Sequence, residues 1–274
     1  MTSMTNSGTA SSSPMGVFWE NVRTIFYALL LAMAIRFTVA QPFRIPSSSM
    51  VPTLEVGDYI VVTKWSYGYG RYSFAPLEGL LSRGRLFGRG PNRGDVVVVR
   101  PISEPGKDFI KRVIGMPGDH IQMRAGRLYI NGVVAPRESL GFTSHENDET
   151  GVTEQIATYR ETLPGNITHL IFERDGDDGP LDNTGVYTVP EGHYFMMGDN
   201  RDNSSDSRVQ FRSMPGDWAR HDNCDGYEEC YVPLDNLVGP ARFIVTSFNS
   251  TTQIYKPWTL ITGFRGDRFL KPVR

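Results

Sequence analysis

The sequence predicts a mainly β protein in which short, mostly antiparallel strands follow one N-terminal apolar helix. Three observations carry that reading. Past Pro42 the apolar residues come in short runs rich in β-branched and aromatic side chains. Turn signals such as RGD, PGD and NG separate the runs. The 28 glycines and 18 prolines among 274 residues favour turns over long helices. Strand and helix patterns do not alternate as a parallel sheet would require, and no fixed-period repeat is visible.

The elements follow in order. Residues 1–16 are Ser/Thr-rich without periodicity and read as a disordered tail. VFWENVRTIFYALLLAMAIRFTVAQPF comes next, and its uninterrupted apolar core, Ile25 to Ile35, is too short to cross a bilayer. Extended to 17–40 it is long enough, with Glu20, Arg23 and Arg36 near enough to its ends to reach the headgroups. A retained transmembrane helix is therefore expected. The competitors are a signal peptide cleaved after Thr38-Val39-Ala40 and, more remotely, a buried soluble helix. The strand candidates are DYIVVTKW, DVVVVR, DFIKRVIG, HIQMRAGRLYING, GVYTVP, HYFMMGD and ARFIVTSF.

Charge divides the remainder. The net formal charge is −2, which gives no reason to expect nucleic acid as a partner. Five arginines (Arg71, Arg83, Arg85, Arg89, Arg93) face one acid, Glu78, between 71 and 93, whereas 138–178 holds ten acids against Arg160 and Arg174. Two different surfaces or subdomains are implied.

The usual nucleophile and metal signatures are missing: there is no GxSxG elbow, HExxH or Walker loop. His145-Glu146 opens HENDE without a second His, and each of the five histidines stands alone, so a Ser/His/Asp triad has no support. GDNRDNSSDSR superficially resembles a calcium loop but puts Arg201 at a ligand position, and reads instead as a turn knitted by Asx side chains. Cys224 and Cys230 in CDGYEEC make a poor zinc site; a disulfide is favoured over free thiols. No metal and no cofactor are expected.

What remains is a serine with a candidate lysine base: between apolar neighbours such a lysine either snorkels to solvent or is desolvated, and only the second case is catalytic. PSSSMVPTL sets three hydroxyls between two prolines; if extended, it would point Ser47 and Ser49 to one side and Ser48 to the other. In DFIKRVIG the period of two puts Lys111 on the face of Phe109 and Val113, with Ile110 and Arg112 on the other. To serve near neutral pH, a lysine of pKa ~10.4 must fall by roughly two units, about 3 kcal/mol of differential destabilisation of the ammonium. Burial among apolar groups can supply this, and a neutral lysine can then take a serine proton directly.

PSSSMVPTL, GDYIVVTKWSYG, RGDVVVVR, DFIKRVIGMPGD and YFMMGDNRDNSSDSR with LVGPARFIV, in that order from about Pro42 to Ser247, resemble bacterial type I signal peptidases. The resemblance implies a coiled antiparallel β-sheet catalytic domain over 41–274, with a cap inserted at about 135–190. It implies Ser49 as nucleophile, Lys111 as general base, the Ser47 hydroxyl and Ser49 N–H as oxyanion hole, and Ser204 orienting the lysine. Phe43, Ile45, Pro46 and Ile110 would line the substrate pockets, and Val99, Phe109, Met196 and Met197 would bury the lysine. Asp206 with Arg208, and Asp199 with Arg201, would be supporting ion pairs.

Two departures stand out. Ser48 occupies a position where many members carry glycine, and a loop insert over 209–233 holds both cysteines. Better-known members also have a second span. The activity implied is cleavage of signal peptides from exported preproteins after a small residue. The enzyme would be a monomer, single-pass in a bacterial inner membrane, with its N-terminus cytoplasmic and its catalytic domain outside. Leu77, Leu80, Leu81, Leu86 and Phe87 among the arginines would form a second contact with the lipid surface. The alternatives are a Ser/Lys peptidase maturing one partner, such as a conjugative pilin, and a tethered β domain that only binds, with Lys111 exposed. A self-cleaving repressor is disfavoured by the apolar helix where a DNA-binding head would stand.

Overall fold

The computed structural model describes residues 13–73, 84–146, 151–211, 228–249, 252 and 255–274. Helix α1 (Pro14–Thr38) opens with proline in its first turn, and the Ser13 side chain accepts from Gly16 N at 3.2 Å. It starts three residues earlier than the expected 17–40 and is long and apolar enough to cross a membrane over Pro14–Arg36, none of it buried against the protein. At 1.5 Å per residue it reaches about 37 Å, beyond the ~30 Å of a hydrocarbon core. Of the expected tail, residues 1–12 lie outside the described residues.

In chain order the strands are β1 (Ala40–Arg44), β2 (Asp58–Thr63), β3 (Val96–Val99), β4 (Phe109–Gly115), β5 (His120–Arg124), β6 (Arg127–Ile130), β7 (Val133–Val134) and β8 (Arg137–Glu146). There follow β9 (Thr153–Leu163), β10 (Ile167–Glu173), β11 (Tyr187–Thr188), β12 (His193–Met197), β13 (Val232–Pro233), β14 (Leu237–Ser247), the short helix α2 (Pro257–Thr262) and β15 (Lys271–Pro272). Every pairing between these strands is antiparallel, and the protein is mainly β as its turn-punctuated runs imply.

The main sheet runs β1-β2-β14-β3-β4-β12-β13, with β15 added to β14. Strand β14 holds it together: its first residues pair with β3 and its later ones with β2, with register shifts along the way. Such bulges bend and twist a strand, which coils this sheet. Its centre is buried on both faces. Val96, Val98 and Ile110 pack with Ile45 and Met50 on one side, while Val97, Val99, Val113, Met196 and Phe211 pack on the other.

The region expected as a cap holds the three-stranded sheet β10-β9-β8, whose strand β8 is exposed along most of its length. The four-stranded sheet β11-β5-β6-β7 crosses the expected cap boundary at 135, because β11 reaches back to pair with β5 through Tyr187↔Ile121. The loop insert expected over 209–233 is likewise narrower: Val209, Phe211, Tyr231 and Val232 are buried and β13 pairs with β12. Cys230 is buried and disulfide-bonded, while Cys224 lies outside the described residues. Leu86 and Phe87 are exposed; Leu77, Leu80 and Leu81 lie outside the described residues.

Candidate active site

Strand β4 delivers Lys111 and the turn after β1 delivers Ser49. Lys111 Nζ lies 2.6 Å from Ser49 Oγ, and the two residues are 2% and 8% exposed. The alternation read from DFIKRVIG holds, since Phe109 and Val113 belong to the apolar cluster containing Val97, Val99 and Met196. Burial lowers the lysine to about 8, with Asp206 and Asp199 opposing that fall and Arg208 reinforcing it. Nζ stands 5.9 Å from the centre of the Phe109 ring.

A depressed pKa does not by itself select Lys111. Lys64 is fully buried and also falls to about 8, through burial and the nearby Arg36. Its Nζ donates to Ser73 O at 2.5 Å, a backbone carbonyl with no proton to give. Of these two lysines, Lys111 is the one with a hydroxyl in reach among the described residues.

The serine stretch is not extended. Residues 47–53 form a bend and then turns, with Val51 N donating to Ser48 O at 3.1 Å and Leu54 N to Met50 O at 2.9 Å. Asparagines from the GDN segment impose this shape. Asn200 donates from Nδ2 to Ser48 O and from its backbone N to Ser49 O, both at 3.1 Å, and Asn203 Nδ2 donates to Ser48 Oγ at 2.9 Å. Ser48 is thus held by protein, Ser49 is buried beside the lysine, and Ser47 is exposed.

Gly198 lets these segments meet. A Cβ there would lie 2.2 Å from Ser204 Oγ and 2.5 Å from Ser49 O. Ser204, expected to orient the lysine, is buried, but its Oγ has no hydrogen-bond partner. Its side chain is directed at Gly198 instead. Met196 packs with the lysine-side cluster as expected, whereas Met197 falls on the opposite face of β12 beside Phe195. Phe43, Ile45 and Ile110 share one apolar cluster and Pro46 is exposed at its edge.

The ion pairs are partly rearranged. Asp206 accepts from Arg208 Nε and Nη2 at 3.0 and 2.9 Å and from Gly198 N at 2.9 Å, as a supporting pair should. Asp199 and Arg201 choose other partners. Arg112 grips Asp199 through Nε and Nη2 at 2.8 and 2.6 Å, with Thr53 donating to the same carboxylate at 2.5 Å. Arg201 grips Glu161 at 3.1 and 2.5 Å. Against the cost of burial, Arg112 holds Asp199 below the usual carboxylate range and Arg201 does the same for Glu161. Adjacency in GDNR suggested the wrong pairing. The signal that could have found the right one is Arg112 itself, an arginine alternating with Ile110 and Ile114 on a buried strand, which requires a buried acid.

His169 completes this network. Both ring nitrogens are buried without a hydrogen bond, Nε2 being 3.4 Å from Glu161 and 3.9 Å from Asp199. Burial, with Arg112 beside it, lowers the ring to about 4, so it is neutral at physiological pH.

A buried lysine against a buried serine, on a coiled β-sheet, is chemistry that sequence comparison can place. Residues 18–246 match the profile of the family described as signal peptidase, peptidase S26. The chain belongs to this peptidase family. Among its S26 relatives, signal peptidase I of Rickettsia typhi (strain ATCC VR-144 / Wilmington) is 37% identical over 224 residues, 80% of this chain and 76% of the relative. Signal peptidase I of Rickettsia akari (strain Hartford) is 38% identical over 226 residues, again 80% and 76%. A solved signal peptidase I from Enterococcus faecalis V583 shares 23% identity, covers 56% of this chain and 97% of its own, and superposes with a TM-score of 0.27.

Proposed function

We propose that this S26 peptidase is a membrane-anchored serine endopeptidase that removes N-terminal signal peptides from exported preproteins, with Ser49 as nucleophile and Lys111 as base. The 2.6 Å approach of Lys111 Nζ to Ser49 Oγ in a site that lowers the lysine to about 8 carries this reading. The neutral amine accepts the Ser49 proton as Oγ attacks the scissile carbonyl. The Ser49 N–H and the Ser47 hydroxyl receive the oxyanion, a donor typically contributing ~2.7 to 4 kcal/mol in the transition state. Lys111 then gives its proton to the departing amine, leaving an acyl-enzyme, and takes one from water for hydrolysis.

Phe43, Ile45 and Ile110 offer the apolar surface for small side chains before the cut, typically alanine at the first position and a small or aliphatic residue two before it. Ser204 remains the candidate for steering the lysine once substrate is bound. Asp206 with Arg208 braces the GDN turn, and Asp199 with Arg112 braces the strand behind it. Helix α1 anchors the enzyme beside its substrates and raises their effective concentration; its N-terminus is cytoplasmic and the β domain faces the other side of the inner membrane. The burial of Lys111 weighs against a domain that only binds.

The test uses the full chain in detergent with a generic preprotein, wild type beside Ser49→Ala and Lys111→Ala. Both variants should be inactive, and the wild-type rate should climb as pH passes about 8. Cleavage surviving in either variant would refute the mechanism. Failure of wild type on every generic preprotein would favour the single-partner peptidase.

A further inference from the structure

Away from Ser49 and Lys111, one group of carboxylates is incompletely paired among the described residues. Glu173 ends β10, Asp182 closes the loop after it, and Asp202 lies in the turn after β12. Each offers one ligand oxygen, and these oxygens lie within 4.8 Å of one another. Two oxygens on opposite sides of a calcium ion, each at ~2.4 Å, are separated by about that distance.

Acids in proximity say little alone. The second feature is that Glu173 and Asp182 are 1% and 0% exposed, yet Glu173 Oε2 and Asp182 Oδ1 accept no hydrogen bond. A buried carboxylate oxygen without a donor is unfavourable while ionised and is relieved by a proton or by a cation; the convergence of three carboxylate side chains on one point favours the cation. Protein donors occupy only the other oxygens. Glu173 Oε1 lies 3.4 Å from Arg137 Nη1, which also donates to Gly126 O at 2.7 Å, while Arg137 Nη2 is taken by Asp177. Asp182 Oδ2 accepts from Gly179 N at 2.6 Å, and Asp202 Oδ2 accepts from Arg174 N and Asp175 N at 2.6 and 2.9 Å. The backbone thus orients Asp182 and Asp202 and Arg137 orients Glu173, leaving one oxygen each of Glu173 and Asp182 unused.

We propose that Glu173, Asp182 and Asp202 bind a hard divalent cation of the calcium class. The ligands are all oxygens, which suits calcium and not the softer metals that favour His or Cys. This runs against the sequence expectation of no metal. The GDNRD segment supplies one ligand, Asp202, while the other two come from the cap, a juxtaposition that no contiguous motif reveals. Asp202 is flanked by Arg201 and Asn203, and Asn200 and Asn203 hold Ser48. The cation therefore fastens the cap to the turn that shapes the serine loop.

The experiment takes the full chain in detergent, stripped with EDTA, and titrates it with CaCl2 by calorimetry while following Tm and amide exchange. One calcium per chain is expected, with a higher Tm and slowed exchange confined to 173–182 and 199–204. Asp182→Asn and Asp202→Asn keep a hydrogen-bond acceptor but remove a charge. Each should weaken binding at least about tenfold and should not lower the Tm in EDTA. No saturable binding up to about 10 mM CaCl2, above the ~1 mM of weak extracellular sites, would overturn the proposal. So would undiminished binding in both variants, or calcium-dependent protection lying elsewhere. If the variants do not fold, wild-type exchange decides between these outcomes.

Discussion

Lys111 and Arg112 are neighbours on one strand, 2% and 1% exposed, and the protein treats them oppositely. Arg112 receives a carboxylate, Asp199, in a bidentate grip, with Gly94 O at 2.8 Å taking a further N–H. Lys111 makes no ion pair among the described residues and meets a hydroxyl instead. The strand's alternation puts one cation on each face of β4. A buried cation given its counter-ion becomes a structural clamp; one denied it is pushed towards the neutral base.

The largest expected effect tests the lysine side. Lys111→Arg keeps a buried cation but cannot lose its proton. Signal-peptide cleavage should fall by on the order of 10³ or more at every pH, measured by single-turnover kinetics; an active arginine variant would remove the base from the mechanism. On the other face, Arg112→Met strands Asp199 as a buried, unpaired charge. Denaturant unfolding should register about 3–5 kcal/mol of lost stability, and residual activity should keep the wild-type pH profile. A displaced profile would mean that the two faces are coupled.

Smaller effects sharpen the contrast. Ser47→Ala should reduce kcat by roughly 10²–10³ with KM little changed, as loss of an oxyanion donor does. His169 binds a proton less well folded, at about 4, than unfolded, near its usual 6.5. Its contribution is therefore complete above pH 6.5 and lost as pH falls towards 4, roughly 3 kcal/mol in all. His169→Gln should flatten that acid limb in a series of urea melts. Ser48→Gly should be mildest, a loss of less than about tenfold, because Asn200 still holds the backbone carbonyl once Asn203 has lost its hydroxyl partner.

Local periodicity made much of the catalytic sheet legible. DYIVVTKW, DVVVVR, DFIKRVIG, HYFMMGD and ARFIVTSF all contain strands, and the alternation in DFIKRVIG places Lys111 on its apolar face. Strands β8, β9 and β10 were not anticipated: β8 is exposed along most of its length, while β9 and β10 bury polar side chains (Thr158, Glu161, His169, Glu173) where apolar residues would have marked the period of two. Partners distant in sequence were equally hidden. Glu161 and His169 join the Asp199 network only because β9 and β10 fold against the GDN turn, which no local spacing encodes. The serine loop misled for a related reason: its turn is imposed by Asn200 and Asn203, some 150 residues away.

One residue, Val39, separates the end of α1 from the start of β1, and β1 is at once zipped to β2 from Ala40↔Thr63 to Arg44↔Tyr59. There is no slack in that joint. From Ala40 to Ser49 the chain can span at most roughly 30 Å even fully drawn out, and the turn at Ser49 shortens it. For an enzyme hung from a bilayer by this helix, the serine is leashed within roughly 30 Å of the helix end. Which bond is cut then depends on how far the substrate's own apolar segment lets its end rise, as well as on the side chains beside that bond.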